Sequence, residues 1–122
     1  MAVRCNLRIK GEIIEIIVDS GAATNIITNK LRRRLGIKIN EPSKAIFTLA
    51  NGKRTTSLGK TEVIVELEEN IRIPIKVQVI ESQDEDLILG TELFVKMKGK
   101  IEFKRKVIIP VRVPLSGEKS CL

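Results

Sequence analysis

The residues best placed to do chemistry follow the apolar stretch 13–18. Asp19 ends that stretch, and Ser20 and Gly21 come directly after it. An apolar strand that runs into such a turn fixes a carboxylate at the strand end, beside a small hydroxyl and a glycine. The sequence contains this arrangement once. A catalyst that works with two carboxylates therefore has to take the second from another copy of the chain.

The composition excludes several other kinds of chemistry. The 122 residues include no His, Trp or Tyr, and the two cysteines, Cys5 and Cys121, lie at opposite ends of the chain. The lack of His excludes Ser-His and Cys-His nucleophiles, and the cysteine spacing does not fit a zinc site. Acid–base work therefore falls to carboxylates, and we expect no metal and no cofactor.

The charge balance is basic, with 22 Lys and Arg residues against 15 Asp and Glu, a formal net charge of +7. The basic residues are spread along the chain and no aromatic platform accompanies them, so we expect nucleic acid to bind only non-specifically, if at all. No signal peptide and no apolar stretch long enough to cross a membrane is present. These features predict a cytoplasmic protein without a membrane partner.

The apolar pattern predicts one mostly β domain with two short helices, which spans residues 1–115 and is followed by a flexible tail, 116–122. Alternating β-branched residues indicate strands, and Asn51-Gly52 between two extended runs is a strong hairpin signal. The predicted strands cover 3–10, 12–18, 45–49, 54–58, 61–68, 71–79, 87–90, 101–103 and 107–113. The predicted helices run from Thr28, as the cap, to Leu35 before Gly36, and from Thr91 to Lys98.

Two local features carry their own predictions. The run of three arginines, 32–34, lies mostly on the wet face of the first helix, which favours a solvated face over a dedicated basic site. Pro74 interrupts the donors of an alternating strand, so we expect it at a sheet edge or a bulge.

Four segments follow one another along the chain at 18–22, 49–52, 87–94 and 99–103. In this order they closely resemble motifs of the retroviral-type aspartic proteases, with the greatest likeness to the protease domain of gypsy-type LTR retrotransposon polyproteins. The resemblance covers about residues 3–113. Ser20 stands where many retroviral members have Thr, which preserves a hydroxyl. Ala23 and Thr91 replace an acidic residue and an Arg that pair in many members, so both ends of that ion pair are absent. The four segments resemble, in turn, the active-site signature, the flap, the second signature and the following strand.

The resemblance implies an all-β, closed-barrel-like acid protease fold with one lobe per chain and a homodimer that completes the active site. In the family, two facing carboxylates share one proton; one acts as general base on a water and the other supplies a proton. Asp19 from each subunit would fill these roles. Ser20 would hydrogen-bond across the dimer, and Gly21 would let backbone approach backbone.

The resemblance also implies an extended polypeptide substrate, with the processing of a retroelement polyprotein as the expected role. The flap, with Ala50, Asn51 and Gly52, would close over the substrate. Ala22, Ala23, Thr24 and Ile88 would line its pockets. The family's dimers are completed by terminal strands, so residues 107–113, and also 3–9, are expected at the subunit contact.

Three other functions compete with this interpretation. The first is a catalytically silent, retroelement-derived dimerisation or peptide-binding module, against which the intact Asp19, Ser20 and Gly21 argue. The second is the protease-like domain of a ubiquitin-shuttle protein, although no ubiquitin-related domain accompanies it. The third is a basic nucleic-acid binder, which would need sequence preference at physiological salt.

Overall fold

The structure is a computed structural model, and it describes residues 2–19, 21–49, 51–66, 71–93 and 95–96. The predicted closing strands, 101–103 and 107–113, and the boundary of the tail lie outside the described residues. The strands are β1 Ala2–Ile9, β2 Glu12–Asp19, β3 Ile26–Thr28, β4 Ile46–Thr48, β5 Arg54–Thr56, β6 Gly59–Glu66, β7 Arg72–Ile80 and β8 Leu87–Leu89, and the helix is α1 Asn29–Arg34.

Six strands close into a barrel in the order β1-β2-β8-β3-β7-β6, and β4 and β5 form a separate two-stranded sheet. The mostly β, barrel-like fold class predicted from the sequence is therefore confirmed. β1 and β2 pair antiparallel over their whole length, and Lys10 and Gly11 turn the chain between them. Both turn residues have positive φ, 52° and 78°, which is the backbone that tight hairpin turns prefer.

Strict alternation along the strands builds the barrel interior. In β6 and β7 every second residue is buried, and the intervening residues are mostly exposed. Burial of one such Val or Ile side chain contributes about 1.5–3 kcal/mol, so the alternation sets which face turns inward. The largest fully buried side chains are Ile9, Ile16, Ile27, Leu31, Ile73, Ile75, Leu87, Leu89, Leu93, Val63 and Val65.

Strand β8 determines the path of the chain segment that follows Asp19. It lies between β2, which it pairs with in parallel, and β3, which it pairs with antiparallel. Ile88 is in register with Ile17 on one side and with Ile26 on the other. The chain segment that joins β2 to β3 must therefore pass over the end of β8.

Helix α1 begins after Thr28, as predicted, but the hydroxyl of Thr28 does not cap it. Instead the Thr28 hydroxyl accepts a hydrogen bond from the Asp86 N–H at 2.9 Å, and the Thr28 N–H donates to the Asp86 carbonyl at 2.9 Å. The Thr28 hydroxyl thus bonds the loop before β8 in place of the helix N-terminus. The local sequence pattern could not predict this tertiary partner. Within the described residues, no helix has the length and apolar character needed to cross a membrane.

The arginine run serves the fold, in agreement with the predicted solvated face. Arg32 donates to the Ile37 carbonyl at 2.7 Å, which fastens the chain after the helix. Arg34 lies between the carboxylates of Glu12 and Glu85, at 2.5 and 2.8 Å. The hydrogen bond with Glu12, and then the one with Glu85, raises the pKa of Arg34, so the guanidinium stays charged.

Two further expectations concern Pro74 and the second helix. Pro74 lies opposite Ile64 of β6 in a regular register, and β3 pairs only with residues 78–80 of β7. Among the described residues, β7 thus has one paired neighbour at Pro74, which fits the predicted edge position. The predicted second helix is seen at residues 92–93 and 95–96, where the Val95 N–H donates to the Thr91 carbonyl at 3.2 Å.

The start of β6 provides a stability test. Gly59 has φ +142°, and a methyl group there would lie 2.8 Å from the Glu41 carbonyl and closer still to the Ile39 side chain. We expect Gly59→Ala to lower the free energy of unfolding by about 2–4 kcal/mol, since it adds overpacking to backbone strain. Urea denaturation measures this change.

Gly11→Ala is the matched control. Gly11 also has positive φ, but nothing lies within 4 Å of an added methyl group, so only the backbone strain of about 1 kcal/mol remains. Equal losses in the two variants would contradict the packing argument.

Candidate active site

Asp19 is the last residue of β2, and its side chain is half-buried. The Gly21 N–H donates to Asp19 Oδ1 at 2.8 Å, and the Ala22 N–H donates to the Asp19 carbonyl at 3.0 Å. These bonds form a tight turn in which the side-chain carboxylate, as well as the backbone, is held. A methyl group at Gly21 would lie 3.4 Å from Oδ1. Ser20 lies outside the described residues.

The segment after Asp19 lies directly on the end of β8. Gly90 follows β8, is buried, and would place an added methyl group 2.5 Å from the Ala22 carbonyl oxygen. No side chain fits in that space, because such a contact is far below van der Waals distance. The glycine therefore allows the Asp19 turn to pack against the second signature segment.

Asn25 fastens this packing through its side-chain amide and is only 5% exposed. Its Oδ1 accepts from the Gly90 N–H at 2.8 Å. Its Nδ2 donates to the Lys76 carbonyl and to Glu92 Oε2, each at 3.1 Å. One buried side chain thus connects the Asp19 loop to the end of β8, to β7 and to the start of the second helix.

The predicted pocket residues occupy the same region with different exposure. Ala22 and Thr24 are half-buried and Ala23 is exposed, all on the loop between β2 and β3. Ile88 is half-buried in β8, and its β2 partner Ile17 lies two residues before Asp19. The structure therefore brings these predicted residues to the barrel end that carries Asp19.

The predicted flap is a hairpin of its own, outside the barrel. The Leu49 N–H donates to the Lys53 carbonyl at 2.7 Å, and the Gly52 N–H donates back to Leu49 at 2.9 Å. Gly52 has φ +83°, and Asn51 Oδ1 accepts from the Lys53 N–H at 2.9 Å. The tip residues Asn51 and Gly52 are exposed, and Ala50 lies outside the described residues.

The two faces of the hairpin differ in chemistry. Ile46 and its cross-strand partner Thr56 face outward, and Ile46 is 55% exposed. Phe47 and Thr55, the next pair, are half-buried. The exposed face thus includes one apolar side chain, and the opposite face includes the aromatic ring of Phe47.

Sequence reasoning did not find Asn25. An uncharged polar residue directly before the apolar pair 26–27 was its only signal, and such a residue usually marks a turn. Its partners lie 51, 65 and 67 positions further along the chain, so no local pattern predicts them. Within the part of the chain that the structure describes, no group of three or more Cys, Asp and Glu residues could hold a metal ion.

Comparison of sequences places the chain in one family. The family model described as gag-polyprotein putative aspartyl protease matches residues 5–96. That range includes the Asp19 loop, the hairpin and β8. Against curated proteins, the chain has no significant sequence match.

Comparison of structures finds the same fold in solved proteases. EIAV protease, solved in complex with the inhibitor HBY-793, has a TM-score of 0.61 at 16% identity, over 80% of this chain and 88% of that one. The retroviral protease-like domain of Ddi1 from Leishmania major has a TM-score of 0.56 at 23% identity, over 78% and 76%. A retropepsin-like aspartic protease from Rickettsia conorii has a TM-score of 0.56 at 18% identity, over 93% and 84%. At these identities the likeness shows the fold alone.

The brace made by Asn25 can be tested by its removal. We expect Asn25→Ala to lower the free energy of unfolding by about 1–3 kcal/mol, because it leaves the buried Gly90 N–H without its acceptor. Thermal or urea unfolding of the purified variant measures the loss.

Asn40→Ala serves as the control, since Asn40 is exposed. A surface change of this kind is expected to stay within about 0.5 kcal/mol. A similar loss in both variants would remove the case for the brace.

Proposed function

The chain belongs to the family of gag-polyprotein putative aspartyl proteases, and we propose that it is an aspartic endopeptidase whose catalytic dyad is Asp19 from each of two subunits. The observation that carries the proposal is the turn at Asp19. Its carboxylate ends a barrel strand and accepts from the Gly21 N–H at 2.8 Å, so it is oriented before any substrate binds. Orientation of the reacting group in advance is a large part of acid–base catalysis.

The dyad follows from the number of available carboxylates. The sequence has one Asp-Ser-Gly segment, so a second copy of the chain must bring the other. Two carboxylates about 3 Å apart share one proton. The ionised carboxylate then takes a proton from the attacking water, and the protonated one gives its proton to the scissile carbonyl or the leaving amine. Ser20, across the subunit boundary, and Gly21 are proposed to hold the two loops in place.

The substrate is proposed to be an extended polypeptide, with retroelement polyprotein processing as the role. Ala22 and Ala23 present small side chains on the loop beside Asp19, which leaves room for substrate side chains. The hairpin with Ala50, Asn51 and Gly52 is proposed to cover the bound chain and exclude water. Thr24 and Ile88 are proposed as further walls of the pockets. A gypsy-type origin and a cytoplasmic setting stay predictions from the sequence.

Substitution of Asp19 gives the direct test. We expect Asp19→Asn to reduce peptide cleavage by at least about 100-fold, because Asn cannot exchange protons as the carboxylate does. A diverse peptide mixture, incubated from acidic to neutral pH and read by mass spectrometry, measures cleavage and subsite preference together.

Asp84→Asn is the matched control, since Asp84 is exposed in the acidic loop before β8. Its cleavage is expected to equal that of the parent. If the parent is a dimer in solution and cleaves no peptide, the protein is instead a silent dimerisation or peptide-binding module.

The shared dyad has a further consequence when two kinds of chain are mixed. A ninefold excess of the Asp19→Asn chain, added to the parent and allowed to exchange subunits, is expected to leave about a tenth of the activity, because nearly all parent chains then sit in mixed dimers. Saturating substrate keeps the variant dimers from competing for peptide. Unchanged activity after proven exchange would show that each chain acts alone.

A further inference from the structure

Gln78 lies in β7, where the barrel contacts both the Asp19 loop and the base of the β4–β5 hairpin. It is in register with Ile26 of β3 on one side and with Lys60 of β6 on the other. Its N–H donates to the Asn25 carbonyl at 2.9 Å. Asn25 is the residue that braces the Asp19 loop, so the backbone of Gln78 is one bond from that brace.

The side chain of Gln78 reaches the two ends of the hairpin. The hydroxyls of Ser43 and Ser57 both donate to Gln78 Oε1, at 2.7 and 2.8 Å. Ser43 precedes β4, and Ser57 directly follows β5. The side-chain oxygen of Gln78 therefore accepts hydrogen bonds from both sides of the hairpin's base, before the incoming strand and after the outgoing one.

Other bonds close the base of the hairpin and tie parts of it to the barrel. The Ser57 N–H donates to the Ala45 carbonyl at 2.8 Å, and Ser43 Oγ accepts from the Ala45 N–H at 3.2 Å. The Leu58 N–H donates to the Val79 carbonyl at 2.7 Å, which ties only the outgoing strand to β7.

On the incoming side, Glu41 is bridged to Lys60 of β6 and forms an ion pair with Lys76 of β7. Beyond Glu41, Ser43 reaches β7 through the Gln78 side chain.

We propose that Gln78 is a positioning residue that sets the hairpin in its place over Asp19; this rests on the proposed function, in which the hairpin covers the substrate. A two-stranded sheet has little stability by itself, so its direction depends on how its base is held. Gln78 holds the base through its side chain and the Asp19 loop through its backbone.

The chemistry of Ser57 predicts that loss of Gln78 changes position more than folding. A hydroxyl has one proton to donate, and Ser57 Oγ also lies 2.9 Å from the Gly59 carbonyl. Without the Gln78 oxygen, Ser57 turns to Gly59 and stays satisfied. Ser43 retains its bond from the Ala45 N–H but loses its tie to β7, which loosens the incoming strand beyond Glu41.

The kinetic test replaces Gln78 by Met, which has a similar length and no strong acceptor. Per active site, we expect Gln78→Met to raise KM for an extended peptide about three- to tenfold and to change kcat less than about twofold, since fewer molecules hold the hairpin in the binding position. Gln78→Glu retains an acceptor oxygen and is expected to restore KM to near the parent value. The matched control is Gln83→Met, an exposed Gln in the loop before β8.

Two kinetic results would overturn the proposal. One is a fall in activity that follows only the number of active sites, with KM unchanged, as a purely structural role produces. The other is an equal rise of KM in the Met and Glu variants, which would exclude the acceptor oxygen as the cause.

Hydrogen exchange of the intact protein gives a readout that needs no catalysis. In Gln78→Met, peptides from 44–58 are expected to exchange faster, while peptides from the β1–β2 hairpin keep the parent rate. Unchanged exchange in 44–58, or faster exchange everywhere, would refute the positioning role. If the parent cleaves no peptide, the proposed function fails, and this measurement still decides the role of Gln78.

Discussion

The close approach of the Asp19 loop to Gly90 is the constraint on which the candidate site depends. A methyl group on Gly90 would lie 2.5 Å from the Ala22 carbonyl, so only a glycine lets the loop reach the end of β8. Asn25 then converts the approach into a fixed contact, because its Oδ1 satisfies the buried Gly90 N–H. The turn at Asp19 depends on both residues. Gly90 leaves space for the loop, and the Asn25 amide holds the loop in one position. The carboxylate is oriented as a consequence of packing two segments that are distant in sequence.

Most of the elements could be predicted because their signals are local. Alternation of Ile and Val gave β6 and β7, and Asn51-Gly52 gave the hairpin turn, where Gly52 indeed has positive φ. The order of strands in the barrel is not local information. β8 has three residues and lies between β2 and β3, whose residues Ile17 and Ile26 are in register with Ile88 and are remote from it in sequence. Its apolar pattern indicates burial but does not identify its neighbours. Its place could be expected only from the resemblance to the protease family, which the family match and the shared fold now confirm.

The candidate site also contains residues that local patterns could predict and residues that they could not. Asp19 and Gly21 could be singled out because their residue types and their position at the end of a strand are those that the proposed chemistry requires. Asn25 and Gln78 are not reacting groups in the proposed function. They act through hydrogen bonds with partners such as Gly90 and Ser43, which are remote in sequence. The failed cap at Thr28 has the same physical origin: the hydroxyl can bond either the helix or the Asp86 N–H, and the tertiary partner wins. Local rules thus find reacting groups more readily than the groups that hold them.

In the proposed function the barrel and the hairpin have different mechanical roles, and β7 connects them. Asp19 belongs to a closed barrel in which each described strand pairs with two others over at least part of its length, whereas the hairpin is a sheet of two short strands. A catalyst of this type needs a rigid carboxylate and a movable cover. If both were part of one sheet, opening the cover would disturb the carboxylate. With separate sheets, the hairpin can open without disturbing the carboxylate. However, no strand pairing then fixes the position of the hairpin relative to the barrel. A point of attachment on the rigid element fixes that position, and the Gln78 backbone and side chain provide that attachment from the centre of the barrel wall.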